Sequence, residues 1–311
     1  MFRPIVLLAL LLAAIPAAAR AEDRPLRLVT FNLLHGGPWS GFTGNDGRLE
    51  GRLAIIIAEL RALDADVIAL QEAPVTRRRG DVAARIAEAL GWHHVHVRAT
   101  DHVFHWRALG RLVTGVLGFV EGPAVLSGFP IVHSEVFDLP RCRRWLDPRV
   151  ALRADVQTPA GVVAVFSTHT SRDDCQTRRV AELAAGATGR PAVVMGDLNI
   201  TEGSPAFRVF HDRGFVDLFR LANPDGRGPT VWQRILEPSP TVSRRVDYVL
   251  MRPGPEVTAE VMASRVVLNT PGRHEGGGVL WPSDHYGVLA DVRLAPGAAG
   301  REGEVRRASA R

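Results

Sequence analysis

Pro191-Ala192-Val193-Val194-Met195-Gly196-Asp197-Leu198-Asn199-Ile200 is the stretch on which the rest of the chain turns. Ala192 to Met195 are apolar without alternation, the pattern of a short strand covered on both faces. Gly196 is expected to let the backbone turn, so that a carboxylate and a carboxamide emerge at the strand's end. Asp197 and Asn199 stand two apart, and in an extended backbone such residues point to the same side. A carboxylate there can orient or deprotonate water while the neighbouring amide binds a phosphate oxygen or a metal. The alternative is an Asp-Leu-Asn turn that closes the strand through its own side chains.

Outward from this stretch the chain alternates strands and helices. Before it, Val150 to Val156 and Val162 to Thr168 are joined by Thr158-Pro159-Ala160-Gly161, which predicts a hairpin whose second strand ends at His169. Ser171 can cap a helix running toward Gly189. After it, Ser204-Pro205 opens a helix to Arg213 with Gly214 beyond. Thr230-Val231-Trp232, Arg245 to Leu250 and Gly287 to Val292 read as strands. Further upstream, Leu26 to Asn32 alternates as a half-buried strand that delivers Asn32 to its end, and a Gly-rich surface loop follows from His35 to Gly47. Leu49, Leu53, Ile56, Ile57, Leu60 and Leu63 recur at helical spacing, which predicts an amphipathic helix over about Arg48 to Ala62. Asp66 to Glu72 is a strand ending in Glu72, Asp81 to Leu90 a helix stopped by Gly91, and Glu121 to Ser127 and Pro130 to Val132 are strands. Helix followed at once by strand is an α/β signature.

Between Trp92 and Trp106 stand His93, His94, His96, His102 and His105. His94 and His96 alternate with Val95 and Val97 and read as the solvent face of a strand. No carboxylate or Cys stands at ligand spacing, so a structural metal is not expected here.

The first residues have the form of a secretory leader over 1–21: Arg3, an apolar run from Ile5 to Ile15, and Ala19-Arg20-Ala21 as a small-x-small cleavage site. The apolar run is too short to span a membrane, and no later stretch is long enough. The chain is therefore expected to be exported, periplasmic or extracellular, and to act as a monomer. One domain is expected over 22–296, with a disordered tail over 297–311. The pI of 10.3 does not point to nucleic acid. All 38 basic residues are Arg, so little titrates between His and Arg and a small excess of charge lifts the pI far. Without the leader's two Arg and the tail's net two, the net charge of +5 shrinks to about one unit, and steering must come from local Arg clusters.

Cys142 and Cys175 lie almost symmetrically about the Thr158–Gly161 turn. If both hairpin strands extend far enough the thiols face each other, and export would favour a disulfide. Two unpaired buried thiols are the alternative.

Six strands thus end in polar residues: Asn32, Glu72, His169, Asp197 with Asn199, Asp247, and Asp284 with His285. Carboxylates, carboxamides and two His with almost no Ser or Cys nucleophile in a comparable position are the equipment for a Mg²⁺-assisted attack of water on a phosphoester, with Mn²⁺ as an alternative ion. Thr30-Phe31-Asn32, Leu70-Gln71-Glu72, Ser167-Thr168-His169, Met195-Gly196-Asp197-Leu198-Asn199, Arg245-Val246-Asp247-Tyr248 and Pro282-Ser283-Asp284-His285-Tyr286 resemble, in order and spacing, the motifs of the endonuclease/exonuclease/phosphatase superfamily. That group includes deoxyribonuclease I, apurinic endonucleases, neutral sphingomyelinases and inositol polyphosphate 5-phosphatases.

The resemblance implies an α/β four-layer sandwich: two packed, mostly antiparallel sheets flanked by helices, with the site at one end of the sheets. It implies that Glu72 binds the metal with Asn32 and Asp284 beside it, and that Asp197 positions or activates water. Asn199 would hold phosphate, His169 would stabilise charge on the phosphoryl oxygens, and His285, oriented by Asp247, would act on the attacking water or the leaving group. Glu121 to Ser127 and Ser283 to Tyr286 resemble segments of the lipid-directed branch. A phosphodiesterase on nucleic acid or a phospholipid head group such as sphingomyelin is expected. The alternatives are a phosphomonoesterase on inositol or other small phosphates, and a catalytically idle toxin-type or binding subunit. Arg77 to Arg79, and Arg141, Arg143 and Arg144, either meet a polyanion at the mouth or form solvated faces.

Overall fold

The computed structural model describes residues 24–35, 47–77, 79–102, 107–142, 149–172, 174–231 and 234–309. The leader, most of the Gly-rich loop, and Arg78, His105, Arg143, Arg144 and Trp232 lie outside these. In chain order the strands and helices are β1 (Leu26–Asn32), α1 (Leu49–Leu63), β2 (Val67–Thr76), β3 (Gly80–Asp81), α2 (Val82–Leu90), β4 (His93–His96), α3 (Arg107–Leu117), β5 (Phe119–Ser127), β6 (Ile131–Asp138), β7 (Val150–Thr158), β8 (Gly161–His169), α4 (Asp174–Ala185), β9 (Ala192–Asp197), α5 (Pro205–His211), β10 (Val216–Asp217), α6 (Leu218–Ala222), β11 (Asp247–Arg252), β12 (Val257–Val267), β13 (Gly272–Arg273), β14 (Val279–Leu280), β15 (Gly287–Pro296) and β16 (Glu304–Arg307). A 3₁₀ turn, Ala99–His102, precedes α3.

Two large sheets form. One runs β16-β12-β15-β1-β2-β5-β4 with β3 on the far end of β2, and the other runs β10-β11-β9-β8-β7-β6. Pairing is antiparallel except β1–β2, β8–β9 and β12–β16. Each of the first two parallel pairs is joined through a helix, α1 or α4, which is why the chain carries the helix-then-strand signature.

Alternation along the strands builds the layers. Leu28, Ala69, Val165, Val193, Met195 and Val249 point between the sheets. Val29, Phe31, Ile68 and Leu70 turn outward onto Leu53, Ile56 and Leu60 of α1 and Ile86 of α2. Phe166, Val194, Tyr248 and Leu250 turn outward onto Val180 and Ala184 of α4 and Phe207 and Phe210 of α5. Helices, sheet, sheet, helices is the expected four-layer sandwich. Across the inner gap Ser167 Oγ donates to the Leu70 carbonyl at 2.9 Å, which holds the ends of β2 and β8 in step.

Several expectations are corrected. Gly196 is inside β9 and makes no turn; a Cβ there would lie 2.0 Å from the Thr168 carbonyl oxygen, so close approach of β8 demands the glycine. The described part of the expected Thr230-Val231-Trp232 strand, Thr230 and Val231, joins no ladder: Val231 makes only isolated bridges to Arg244 and His285. Ser171 does not cap α4. Its N–H and hydroxyl both donate to Gln176 Oε1, at 2.7 and 3.0 Å, and the helix starts at Asp174.

His96 is not a solvent-facing residue either. Its side chain is buried and pairs with Asp81 at 2.9 Å, a carboxylate fifteen residues upstream that sequence spacing did not reveal. The tail departs from disorder over Glu304–Arg307, which adds an edge strand to β12; Val305 packs on the inter-sheet core and Arg306 pairs with Glu260.

The disulfide Cys142–Cys175 forms, with Cα atoms 6.5 Å apart, but not across a hairpin. The β7–β8 hairpin forms as expected, but β7 begins at Val150 and β8 ends at His169, so neither strand reaches its cysteine, and the bridge fastens the stretch after β6 to the first turn of α4. Gln176 Nε2 donates to the Pro140 carbonyl at 3.0 Å and reinforces it.

Candidate active site

Parallel β1 and β2 run level until β1 ends at Asn32, opposite Gln71, and Glu72 is the next residue of β2. Parallel β8 and β9 end with His169 opposite Asp197. β11 runs against β9, so Asp247 stands at its start, level with Asp197. β15 runs against β1 and starts at Gly287, so Asp284 and His285 come just before a strand and not at the end of one. Both sheets thereby deliver polar residues to one edge of the sandwich, through the ends of three strands, an irregularity within β2 and the beginnings of two more.

Glu72 is not a strand terminus, as β2 continues to Thr76. It sits where the pairing with β5 slips between Leu70 and Ala73, at φ 53°. A non-glycine residue in the left-handed region is uncommon and costs about 1 kcal/mol or more. The bulge re-aims the carboxylate out of the ladder toward β1 and β8. Asn199 has φ 53° as well, and its N–H donates to Asp197 Oδ1 at 2.8 Å. The Asp-Leu-Asn turn and the functional placement are one feature: the turn brings the Asn199 amide to the Thr170 carbonyl (2.9 Å) and to His169 Nε2 (3.0 Å).

Asn32 links the two halves. Its Nδ2 donates to Glu72 Oε1 and Asp197 Oδ2, both at 3.2 Å. His169 lies 3.5 Å from Glu72 Oε1 through Nδ1 and 3.3 Å from Asp197 Oδ2 through Nε2. His285 Nε2 lies 3.7 Å from Asp197 Oδ2, and its Nδ1 lies 3.0 Å from Asp247 Oδ2. Asp284 accepts from the Ser283 hydroxyl at 3.2 Å, and burial, with the Glu72 carboxylate nearby, pushes its pKa upward. The structure thus brings together all eight residues singled out in the sequence.

Electrostatics divide them. Burial and then the Arg149 guanidinium hold His169 well below the usual imidazole range, and Arg149 Nη1 donates to its Nδ1 at 2.7 Å, so the ring is neutral. Burial works against charge on Glu72, but the neighbouring His169 and His35, the Asn32 amide and the His35 backbone N–H keep it below the ordinary carboxylate range. With His169 neutral, the Asn32 amide and the His35 backbone N–H remain as donors that favour the ionised carboxylate.

Burial, with Asp247 and Glu72 nearby, raises Asp197 to about 7. Burial opposes charge on His285, yet Asp247 and Asp197 outweigh it and raise the imidazole to about 10. Asp247 Oδ1 is buried with no hydrogen-bond donor among the described residues, which leaves an acceptor free beside the site.

Ligand atoms of Asp197, Asp247 and His285 come within 4.8 Å of one another. An imidazolium has no lone pair for a metal, so in this protonation state the trio suits proton handling. Glu72, ionised and partly open, with Asn32 and Asp284 beside it, is a hard-oxygen donor set that fits a Mg²⁺ or Mn²⁺ ion retaining waters.

Two features escaped the sequence. Arg149 was not singled out, although the register of β7 on β8, with Ala151 opposite Thr168, carries it to His169. The basic residue of Arg245-Val246-Asp247-Tyr248 proves to be a brace. Buried Arg245 pairs with Asp217 at 2.7 Å and with Glu202, and the Tyr248 hydroxyl donates to the Ile200 and Arg245 carbonyls. These contacts fix the loop that follows Asn199. Arg77 and Arg79 serve structure as well: Arg77 donates to the Gly115 carbonyl at 2.6 Å, and Arg79 pairs with Glu50 at 3.3 Å.

A profile of the endonuclease/exonuclease/phosphatase family matches residues 29–285. No curated protein sequence matches. Among solved structures, an endonuclease/exonuclease/phosphatase from Beutenbergia cavernae DSM 12333 is similar at 25% identity and TM-score 0.60, covering 90% of this chain and 74% of that one. The Bacteroides thetaiotaomicron VPI-5482 mannosyl-6-phosphatase Bt3783 is similar at 19% identity and TM-score 0.62, covering 87% and 99%. Truncated Caenorhabditis elegans TDP2 is similar at 17% identity and TM-score 0.56, covering 86% and 96%. The latter two likenesses are of fold.

Proposed function

Because the chain belongs to the endonuclease/exonuclease/phosphatase family, a family of phosphoester hydrolases, we propose that it is an exported, Mg²⁺-dependent phosphodiesterase acting on nucleic acid or a phospholipid head group. The observation that carries this reading is the meeting of Glu72, Asn32, Asp197, His169 and His285 within 3.7 Å contacts from five separate segments.

Glu72, with Asn32 and Asp284, would hold the ion. Bound there, a divalent cation would polarise a phosphoryl oxygen and offset its charge. Asp197, poised at about 7, orients the attacking water and accepts its proton near neutral pH. Asn199 and the neutral His169, backed by the Arg149 guanidinium, hold the phosphoryl oxygens. His285, kept protonated by Asp247 and Asp197, donates to the leaving oxygen and recovers its proton from solvent.

Export rests on the leader-like first residues and on the disulfide, which suits an oxidising compartment. Among the described residues no helix is long and apolar enough to cross a membrane. The mannosyl-6-phosphatase likeness favours a second reading as a phosphomonoesterase on a small phosphate.

The test offers the purified protein with Mg²⁺ plasmid DNA, sphingomyelin and phosphatidylinositol side by side, and bis- against mono-nitrophenyl phosphate, with His285→Ala as control. Diester cleavage lost in His285→Ala is expected. Cleavage of the monoester alone would favour the second reading, and a His285→Ala protein as active as the parent would displace the site.

A further inference from the structure

We propose that the outer face of α3 is a contact for an anionic lipid surface, placed so that phospholipid head groups reach the candidate site. The proposal rests on the phosphodiesterase reading and names the source of its substrate.

α3 (Arg107–Leu117) has one face tied down. Thr114 is buried, and its hydroxyl donates to Asp101 Oδ1 at 2.6 Å. Gly110 packs so tightly that a Cβ there would lie 2.1 Å from the Asp101 carbonyl oxygen. The opposite face is therefore fixed toward solvent, and it is apolar: Leu109, Leu112 and Val116 are 40%, 65% and 61% exposed. They fall three and four residues apart, so they form one stripe. They also make up three of the seven exposed large hydrophobics among the described residues. Arg111 is exposed beside them, and the helix has Arg107 and Arg111 but no acidic residue.

The helix is wired to the site. Arg77 donates from its backbone to the Gly118 carbonyl (3.3 Å) and from its side chain to the Gly115 carbonyl (2.6 Å). Phe119, the first residue of β5, packs its ring at a tilt against His35 with centroids 5.2 Å apart, and His35 Nε2 lies 3.5 Å from Glu72 Oε2. The helix thus leads, through Gly118 and Phe119, to His35 beside the carboxylate proposed to hold the metal.

Three aliphatic side chains fall well short of the roughly 1,000 Å² that a specific protein interface buries. A lipid surface needs no shape complementarity, and apolar burial joined to basic charge is what binds such a surface. The absence of acid on the helix and the arginine beside the stripe suit a negative one.

The test is co-sedimentation of the full chain with phosphatidylcholine vesicles, with and without phosphatidylglycerol, together with hydrolysis of soluble bis-(p-nitrophenyl) phosphate. The parent should sediment with the anionic vesicles, more weakly with rising salt. The double variant Leu112→Glu/Val116→Glu should bind about tenfold more weakly for each substitution, and Arg111→Glu should weaken binding and flatten the salt dependence. All should cleave the soluble diester at the parental rate, which also shows that they fold.

Equal sedimentation of the double variant and parent overturns the proposal. So does a parent that ignores vesicles while cleaving the soluble diester, or one that runs as a dimer which the double variant breaks, since a second copy would then cover the face. A parent that binds vesicles through this stripe but cleaves no phosphodiester would sink the enzymatic reading and leave the lipid contact standing.

Discussion

His285 between two carboxylates is the most informative single residue. Asp247 and Asp197 lift its pKa from 6.5 to about 10, so in metal-free protein its ring should titrate far above 6.5 by NMR, and Asp247→Asn should bring the midpoint down. A midpoint at or below 6.5 in the parent contradicts the pairing. The folded state holds this proton more tightly than the unfolded one. Stability from the pairing is therefore complete below about pH 6.5 and is lost as pH climbs through about 10. Arg149 acts in the other direction on His169, and Arg149→Met should raise that imidazole toward its ordinary value. The eight site residues were legible in the sequence because each follows or precedes an apolar run with motif spacing. Arg149 and the Asp81–His96 pair were not, since only strand register and a helix cap bring those partners together.

At the scale of elements, strands whose two faces both meet apolar layers were read well, and β9 is the clearest: Val193 and Met195 face one core cluster, Ala192 and Val194 another. Elements stabilised by neighbours and not by pattern were missed. α3 contains Gly110, Thr114 and Gly115, poor helix formers, and is held by its contact with Asp101. β12 alternates at Val257, Ala259 and Val261, so its strand pattern is present in the sequence. Asp247 and His285 were placed at strand ends, whereas antiparallel neighbours put them at or before strand starts.

Gly196→Ala should cost about 1–3 kcal/mol or more, because the Thr168 carbonyl must move, and denaturant unfolding reads it; a neutral change would mean that β8 and β9 are not so close. Breaking the disulfide with Cys142→Ser should cost roughly 3–4 kcal/mol in the chain-entropy model. It should also raise KM more than it lowers kcat, because Cys142, seven residues before Arg149 in the chain, loses its anchor to α4. An unchanged melting temperature would contradict the first part, and an unchanged KM the second.

For the whole molecule, the sandwich explains why residues from 32 to 285 must act together: the inner core sets the sheets in step, and each sheet supplies half of the site. The tail belongs to this body through β16, so removal of residues 297–311 should lower the melting temperature by exposing the β12 edge and losing the Arg306–Glu260 pair, with little effect on turnover. Mg²⁺-dependence of bis-(p-nitrophenyl) phosphate hydrolysis in the parent, Glu72→Gln and His285→Ala tests the central claim most directly. The parent should need Mg²⁺ or Mn²⁺. Glu72→Gln should require about tenfold more ion or beyond for half-maximal rate, and His285→Ala should keep the parental ion requirement while losing about 10²–10⁴ in turnover. Full hydrolysis in the presence of chelator, or an ion requirement unmoved by Glu72→Gln, would contradict the account.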